Sequence, residues 1–237
     1  MKKVIVVMCI AVVTLALNFY TYANAKKSEE NVIFYASYDE SIDADFSSNS
    51  DIKAIVKKGE MDRKKGYKGE GLYLGENSEI HYEIKGFNSE KGSLSFWIKP
   101  EWETDDKTKF TFFSYFFDSE WRQSMVFYKA YVGEKANFMQ YRVMLVSNKP
   151  INKQDKNPLP VNEWSFIVLT WNNKTGMKLY INGKISSSFD GDWEMPEQTK
   201  AKQFLMNHDD GKSAILDEYK IYNKDLTEDE IIMEYSN

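Results

Sequence analysis

The stretch that most restricts the possible fold is the end of the chain, where ILDEYKIYN at 215–223 precedes LTEDEI at 226–231. The first segment has the residue-by-residue alternation of a β-strand. In the second, Thr227 and Glu230 have the spacing of a capping box, and Leu226 and Ile231 flank them as a hydrophobic staple. The end of the chain therefore predicts a strand followed by a short, capped helix.

One residue of this strand is unusual for its place. Strand alternation puts Ile215, Tyr219 and Ile221 on one apolar face and puts Asp217 on the same face. An inward aspartate needs a partner, either backbone N–H groups or a bound cation, because an unpaired buried charge is costly. Asp217 is therefore a candidate site residue, and both kinds of partner remain open.

Most of the remaining chain shows the pattern of short β-strands. Residues 79–84 and 93–99 alternate apolar with polar side chains, and Asn182-Gly183 is the strongest short signal for a β-hairpin. The polar stretches at 39–51 and 150–160 predict loops. Many short strands with one late helix predict an all-β fold, an antiparallel two-sheet jelly-roll sandwich.

The beginning of the chain predicts a targeting signal. Two lysines precede an apolar run at 4–17, and Ala-Asn-Ala at 23–25 provides an A-x-A cleavage site. We expect residues 1–25 to be a signal peptide and 26–31 a disordered leader, so that the mature protein is extracellular or periplasmic. Retention as a membrane anchor is the alternative, although the run is shorter than the roughly 20 residues of a spanning helix.

Cysteine content and charge exclude several classes of protein. The one cysteine, Cys9, lies inside the predicted signal, so the mature domain, residues 32–237, has no disulfide and no thiol nucleophile. The formal net charge of −5 disfavours a protein that binds nucleic acid or an anionic membrane, because such binding needs a basic patch. After cleavage of the signal we expect no membrane association.

Several segments together resemble the laminin-G-like, concanavalin A-like jelly-roll family, in its bacterial secreted branch. They are GYKGEGLYL at 66–74, GSLSFWIKP at 92–100, NEWSFIVLTW at 162–171 and LYINGK at 179–184, together with the closing strand and helix. Their order spans nearly all of the mature chain. The resemblance implies two packed antiparallel sheets with one curved face.

In many members of this family a structural calcium ion lies near the chain ends. The resemblance implies that Asp217 contributes a ligand to it, with an early partner at Asp39. The chain departs from the family's early Asp-x-Ser-Gly turn, since residues 43–48 contain no glycine. Calcium takes six to eight oxygen ligands, so carbonyl groups and water would complete the set.

Carbohydrate recognition is predicted from aromatic residues that stand beside polar ones. Trp121 with Arg122, and Trp193 with Asp192, are the pairs we expect to contact a polysaccharide or a cell-surface glycan, because an aromatic ring offers an apolar face to a sugar. Core packing is the competing role for each ring, since aromatic residues are 15% of the chain. Trp97, Trp164 and Trp171 are expected to pack structurally.

An enzymatic function is the main alternative to a binding function for this fold. Glycosidases on jelly rolls use two carboxylates across a groove, but the sequence contains no Glu-x-Asp-x-x-Glu pattern, no Gly-x-Ser-x-Gly elbow and no glycine-rich phosphate loop. His208 beside two aspartates is typical of a solvated turn. We therefore expect a non-catalytic binding module, with a protein-interaction or adhesion module as one alternative and a glycoside hydrolase or lyase as another.

Overall fold

The computed structural model describes residues 31–48, 50–103, 105–116, 124–132, 135–144, 151–155, 157–193, 203–207 and 211–237. The described part of the chain is built almost entirely of β-strands. They are β1 (Val32–Ala36), β2 (Phe46–Ser47), β3 (Ile55–Lys58), β4 (Met61–Lys65), β5 (Glu70–Leu74), β6 (Glu79–Glu83), β7 (Lys91–Pro100), β8 (Phe110–Phe116), β9 (Ser124–Val132), β10 (Lys135–Met144), β11 (Ile151–Asp155), β12 (Ser165–Asn172), β13 (Gly176–Ile181), β14 (Lys184–Asp190), β15 (Gln203–Met206) and β16 (Ala214–Tyr222). The helix α1 (Glu228–Ser236) follows the last strand.

The strands form two antiparallel sheets. The nine-stranded sheet has the order β14-β13-β12-β7-β16-β1-β2, with β5 also paired to β16 and β4 paired to β5. The seven-stranded sheet has the order β11-β10-β9-β8-β15-β6-β3. The predicted all-β, two-sheet sandwich with a short C-terminal helix is confirmed.

The main core lies between the sheets and is rich in aromatic rings. Leu94, Phe96 and Ile98 of β7 point into it, as their alternation predicts, and Trp171 joins them with 1% of its surface exposed. Trp97 points the other way into a second apolar cluster, which α1 covers. Both faces of β7 are therefore buried, as expected for a central strand under a helix.

The capping box and the hairpin predicted from the sequence are both confirmed. Thr227 is the N-cap of α1, where its hydroxyl accepts from the Glu230 N–H and the Glu230 carboxylate accepts from the Thr227 N–H. Asn182 and Gly183 join β13 to β14 with φ of 50° and 74°, the positive values that a type I′ turn needs.

The closing strand departs from the predicted alternation. Leu216 and Tyr219 both point into the main core, because a bulge between Asp217 and Lys220 shifts the register and Glu218 takes a left-handed φ of 49°. The prediction that Ile215, Asp217 and Tyr219 share one face is therefore wrong. Asp217 is nevertheless buried, at 0% exposure.

The bulge lies where β16 changes partners along one edge. Before it, residues 214–216 pair with β5, and after it, residues 219–222 pair with β1. Asp217 thus lies at the fork between β1 and β5, and the turn between β4 and β5 also reaches this point. The fork brings three distant parts of the chain together.

Two predicted loops contain short strands, since β2 falls within 39–51 and β11 within 150–160. The predicted signal peptide, leader residues 26–30 and His208 lie outside the described residues. Within the described ranges, no helix is long and apolar enough to cross a membrane.

Candidate functional site

The turn formed by residues 66–70 is held by two carboxylates from opposite ends of the chain. Inside the turn, the N–H of Gly66 donates to the carbonyl of Gly69 at 3.1 Å. The Lys68 N–H donates to Asp217 Oδ2 at 2.9 Å, and the Glu70 N–H donates to Asp39 Oδ1 at 2.9 Å. The structure therefore brings the two predicted metal ligands to the same five-residue turn.

The backbone around both carboxylates is strained. Tyr38, which precedes Asp39, has a φ of 65°, and Glu218, which follows Asp217, has a φ of 49°. Side chains other than glycine rarely adopt this left-handed region, and residues held there concentrate at functional sites. The residue next to each aspartate, Tyr38 or Glu218, is therefore held in an unfavourable backbone conformation.

Asp217 is a buried acid without a cationic partner in the described part of the chain. Its Oδ1 accepts a second hydrogen bond, at 2.8 Å, from the N–H of Glu218. None of the ion pairs between described residues includes it. Burial raises the pKa of Asp217 to about 7, although the N–H donors oppose the shift. The site favours a proton or a cation on this carboxylate.

Two oxygen atoms lie close to Gly66. A Cβ at Gly66 would lie 2.5 Å from Asp217 Oδ2 and 2.5 Å from the Lys68 carbonyl oxygen, so both oxygens converge on space that only glycine leaves open. Carboxylate and carbonyl oxygens are the ligand types that calcium takes. No group of three or more His, Cys, Asp or Glu with metal-binding proximity occurs among the described residues. The predicted calcium site at Asp217 and Asp39 stays a prediction.

The predicted glycan contacts are only partly described. Trp121 and Arg122 lie outside the described residues. Trp193 belongs to the main core, where 5% of its surface is exposed and its ring lies 6.3 Å from that of Phe189. Asp192 is exposed. At this pair the structure places an exposed carboxylate beside a buried ring.

An exposed aromatic residue that the sequence analysis missed lies on the carboxylate-held turn. Tyr67 is 41% exposed, and its ring stacks on Trp97 with centroids 3.5 Å apart and planes 10° apart. A tyrosine inside a glycine-rich turn is a signal that could have identified it, because a tight turn on the surface directs its side chains outward.

A polar cleft lies on the outer side of the nine-stranded sheet, beside the start of α1. Its volume is about 380 Å³, and its lining includes Asp190, Asp225, Glu228 and Lys178. Asp225 Oδ2 accepts from Asn172 at 2.9 Å. The cleft presents hydrogen-bond acceptors to solvent on the same side of the sheet as α1.

Comparison with known proteins identifies the family. A family model described as the concanavalin A-like lectin/glucanases superfamily matches residues 74–232. The chain belongs to this superfamily. The family predicted from the sequence is therefore confirmed. None of the curated proteins compared with the chain matches its sequence.

Solved structures similar to this member of the superfamily include several binding domains. The receptor-binding domain of botulinum neurotoxin C/D mosaic serotype has a TM-score of 0.69 at 17% identity, covering 88% of this chain and 51% of that one. A structure of botulinum neurotoxin type C, a toxin whose cell entry is described as dependent upon interaction with two ganglioside molecules, has a TM-score of 0.70 at 13% identity, covering 90% of this chain and 52% of that one. The chain spans about half the length of these neurotoxin chains.

A bacterial domain matches over almost its whole length. Domain 4 of AbnA, a GH43 extracellular arabinanase from Geobacillus stearothermophilus solved with arabinotriose, has a TM-score of 0.69 at 18% identity. The match covers 87% of this chain and 98% of the arabinanase domain. At these identities the comparisons establish the fold that the superfamily shares.

Proposed function

We propose that this chain is a secreted, non-catalytic carbohydrate-binding module that is stabilised by one calcium ion. The observation that carries the proposal is the exposed ring of Tyr67 on a turn that two carboxylates hold in place. Protein sugar sites use such fixed aromatic faces, because the apolar face of a sugar packs on a flat ring at little entropic cost.

The similar structures support carbohydrate as the ligand class. One is a domain in complex with arabinotriose, and another belongs to a toxin whose cell entry depends on gangliosides. Both share the fold that this chain adopts. The superfamily name also includes glucanases, so hydrolysis is the enzymatic alternative that must be tested.

Asp217 and Asp39 would hold the calcium ion, with the Lys68 carbonyl as a further oxygen ligand. The bound ion would supply positive charge to the buried carboxylate. It would also tie the start and end of the sandwich to the turn, in a domain whose predicted mature form has no disulfide.

Trp121, Arg122 and Asp192 remain proposed ligand contacts on the strength of the sequence. The buried ring of Trp193 supports an indirect role, in which it positions the loop that presents Asp192. Trp121→Ala, Arg122→Ala and Asp192→Ala should each weaken glycan binding without a large loss of stability.

The test is a glycan array probed with residues 26–237, followed by calorimetric titration of the best ligands. The proposal expects saturable binding and no release of reducing sugar over many hours. Hydrolysis of a bound polysaccharide would overturn the non-catalytic assignment. Absence of any glycan ligand, together with capture of a protein on the host surface, would favour an adhesion module.

Secretion has a separate test. Expression of the full chain in a bacterial host should release a protein whose N-terminus is Lys26 to the periplasm or medium. Recovery of the intact chain in the membrane fraction would favour a retained anchor.

A further inference from the structure

The polar cleft beside the start of α1 lies on the outer face of β12, β13 and β14. Strand register places Thr170 next to Lys178 on one side and next to Ser93 on the other. Ser93 belongs to the outer face, because its hydroxyl accepts from the N–H of Leu226, just before α1, at 2.8 Å. Thr170 and Lys178 therefore form part of the floor, and the cleft volume of about 380 Å³ is within the range of small-molecule sites.

The floor contains a hydroxyl group that the described part of the protein does not use. Thr170 is 6% exposed, and no hydrogen bond between described residues includes its side-chain hydroxyl. Its neighbour Trp171 points into the main core, so Thr170 points away from the core and toward the cleft. Buried hydroxyls normally have a partner, because an unpaired one costs free energy. A ligand in the cleft would supply that partner.

The charge of the cleft is negative. Its charged lining residues are Asp190, Asp225, Glu228 and Lys178. Lys178 Nζ lies 4.0 Å from Glu228 Oε1. Asp225 accepts only from the neutral amide of Asn172, and no ion pair within the described ranges includes Asp190 or Asp225. The two remaining negative charges favour a positively charged group on the ligand.

The N-terminal end of α1 does not reverse this preference. Helix N-termini attract anions through their free N–H groups and the helix dipole. Here the first turn carries Glu228, Asp229 and Glu230, and the Glu230 carboxylate accepts from the N–H of Thr227 at 3.0 Å. Acidic side chains of the protein therefore occupy the position that a phosphate or carboxylate ligand would take.

The lining indicates a compact polar ligand that is larger than a metal ion. No group of three or more His, Cys, Asp or Glu within the described ranges is close enough to hold a metal, so the three acids of the cleft do not converge on one cation. The cleft also lacks an apolar wall, since Tyr180 and Leu226 are only 3% and 5% exposed. The methylene chain of a lysine or polyamine would find little apolar surface to cover. An ammonium group surrounded by hydroxyl groups fits both features.

Resting on the carbohydrate-binding function proposed above, but at a site separate from Tyr67, we propose that this cleft binds a sugar residue that carries a free amino group. The carboxylates of Asp190 and Asp225 attract the ammonium group, and a sugar hydroxyl bonds to the hydroxyl of Thr170. Tyr67 lies at the other end of α1, because both it and Tyr235 stack on Trp97.

The test compares two glucosamine oligosaccharides of equal length, one with free amino groups and one N-acetylated, by calorimetric titration. At about pH 6, below the usual pKa of an amino group, the wild-type domain should bind the free-amine ligand several-fold more tightly. The difference should shrink as salt rises. A lysine-containing peptide of the same charge should bind more weakly, and equal or tighter binding of the peptide would overturn the sugar assignment.

Variants of the cleft separate the charge from the hydroxyl group. Asp190→Asn and Asp225→Asn should each weaken the free-amine ligand by about threefold and leave the acetylated ligand unchanged. Thr170→Val should weaken both ligands by about fivefold without lowering the melting temperature, because valine keeps the branched shape and removes a buried hydroxyl that has no partner. Lys178→Gln should strengthen binding of the free-amine ligand, since it removes a competing ammonium group. Weaker binding by Lys178→Gln would indicate an anionic ligand and overturn the proposal.

Glu76→Gln is the matched control. Glu76 is a carboxylate that pairs with Lys212 at 2.6 Å and does not line the cleft, so this change should leave both affinities unaltered. Unchanged melting temperatures would establish that the cleft variants are folded. Equal affinity of the wild type for the two oligosaccharides, or a preference that survives both Asp190→Asn and Asp225→Asn, would overturn the cleft assignment and leave the carbohydrate-binding function intact. A wild type without any glycan ligand would overturn both proposals.

Discussion

The carboxylate of Asp217 accepts a hydrogen bond from the main-chain N–H of Lys68 at 2.9 Å, and thereby joins the last strand to the turn before β5. Near the other end of the chain, the carboxylate of Asp39 accepts a hydrogen bond from the main-chain N–H of Glu70 in the same turn. The turn that presents Tyr67 therefore depends on residues that are distant in the sequence. We therefore expect protonation of Asp217, or a cation bound to it, to change both the stability of the domain and the position of Tyr67.

Calcium should stabilise the domain through Asp217. We expect the melting temperature to be higher by roughly 5 °C or more in millimolar calcium than in chelator, because an ion that binds only the native state raises its stability. Asp217→Asn should abolish this difference. Asp43→Asn, at a carboxylate that pairs with Lys53 at 2.7 Å, should retain it. A wild-type shift below about 1 °C would argue against a tight structural ion.

Without calcium, stability should fall as pH rises from about 4 to about 7. The pKa of Asp217 is raised from 3.8 to about 7 in the folded protein, so in this window the folded state holds a proton that the unfolded state has released. The loss is at most about 4 kcal/mol, and it is complete above the folded pKa. Denaturant unfolding in chelator at several pH values measures it. Asp217→Asn should flatten this part of the profile, and an equally steep profile in the variant would assign the effect to other groups.

Gly69 should be intolerant of a side chain. Its φ is +46°, and an added Cβ would lie 1.9 Å from Asp39 Oδ1. Gly69→Ala should therefore cost more free energy of unfolding than Gly86→Ala, where φ is +78° but no atom lies within 4 Å. Because both sites carry the backbone penalty of about 1 kcal/mol, the difference isolates the clash with the carboxylate. Equal costs would mean that the turn can move away from Asp39.

Trp193→Ala should lower the free energy of unfolding by about 3–5 kcal/mol, the usual cost of truncating a buried aromatic ring. The reason is the burial of Trp193 in the main core at 5% exposure. Asp192→Ala, at an exposed position, should change stability little. Urea unfolding measures both. A Trp193→Ala variant of wild-type stability that loses glycan binding would instead make the ring a direct ligand contact.

Local patterns in the sequence predicted the elements whose determinants are local. The capping box at Thr227 and Glu230 and the hairpin at Asn182-Gly183 depend on neighbouring residues, and both have the expected geometry. The alternation of β7 also predicted which side chains enter the main core. Short strands such as β2 and β11 were missed, because pairing with the preceding strand outweighs their polar composition.

For the candidate site, the sequence identified two of the residues, Asp39 and Asp217, but not the contacts that surround them. Asp217 was identified because an acid in an apolar strand needs a partner, and one of its backbone donors, the Lys68 N–H, lies in a turn far away in the sequence. The bulge at Glu218 put Tyr219 on the opposite face from Asp217, since one residue in a left-handed conformation shifts every later side chain. Tyr67 was missed because its exposure depends on which ring covers its other face.

The sequence by itself determined the fold class, the family, the hairpin and the capped helix, because alternation, turn chemistry and capping act over a few residues. Only the tertiary structure decided that Asp39 and Asp217 meet at one turn, that Trp193 is buried and that Tyr67 is open to solvent. The meeting of Asp39 and Asp217 depends on the fork at which β16 leaves β5 for β1. Contacts between residues so far apart in the chain are set by sheet packing, and no local pattern in the sequence specifies them.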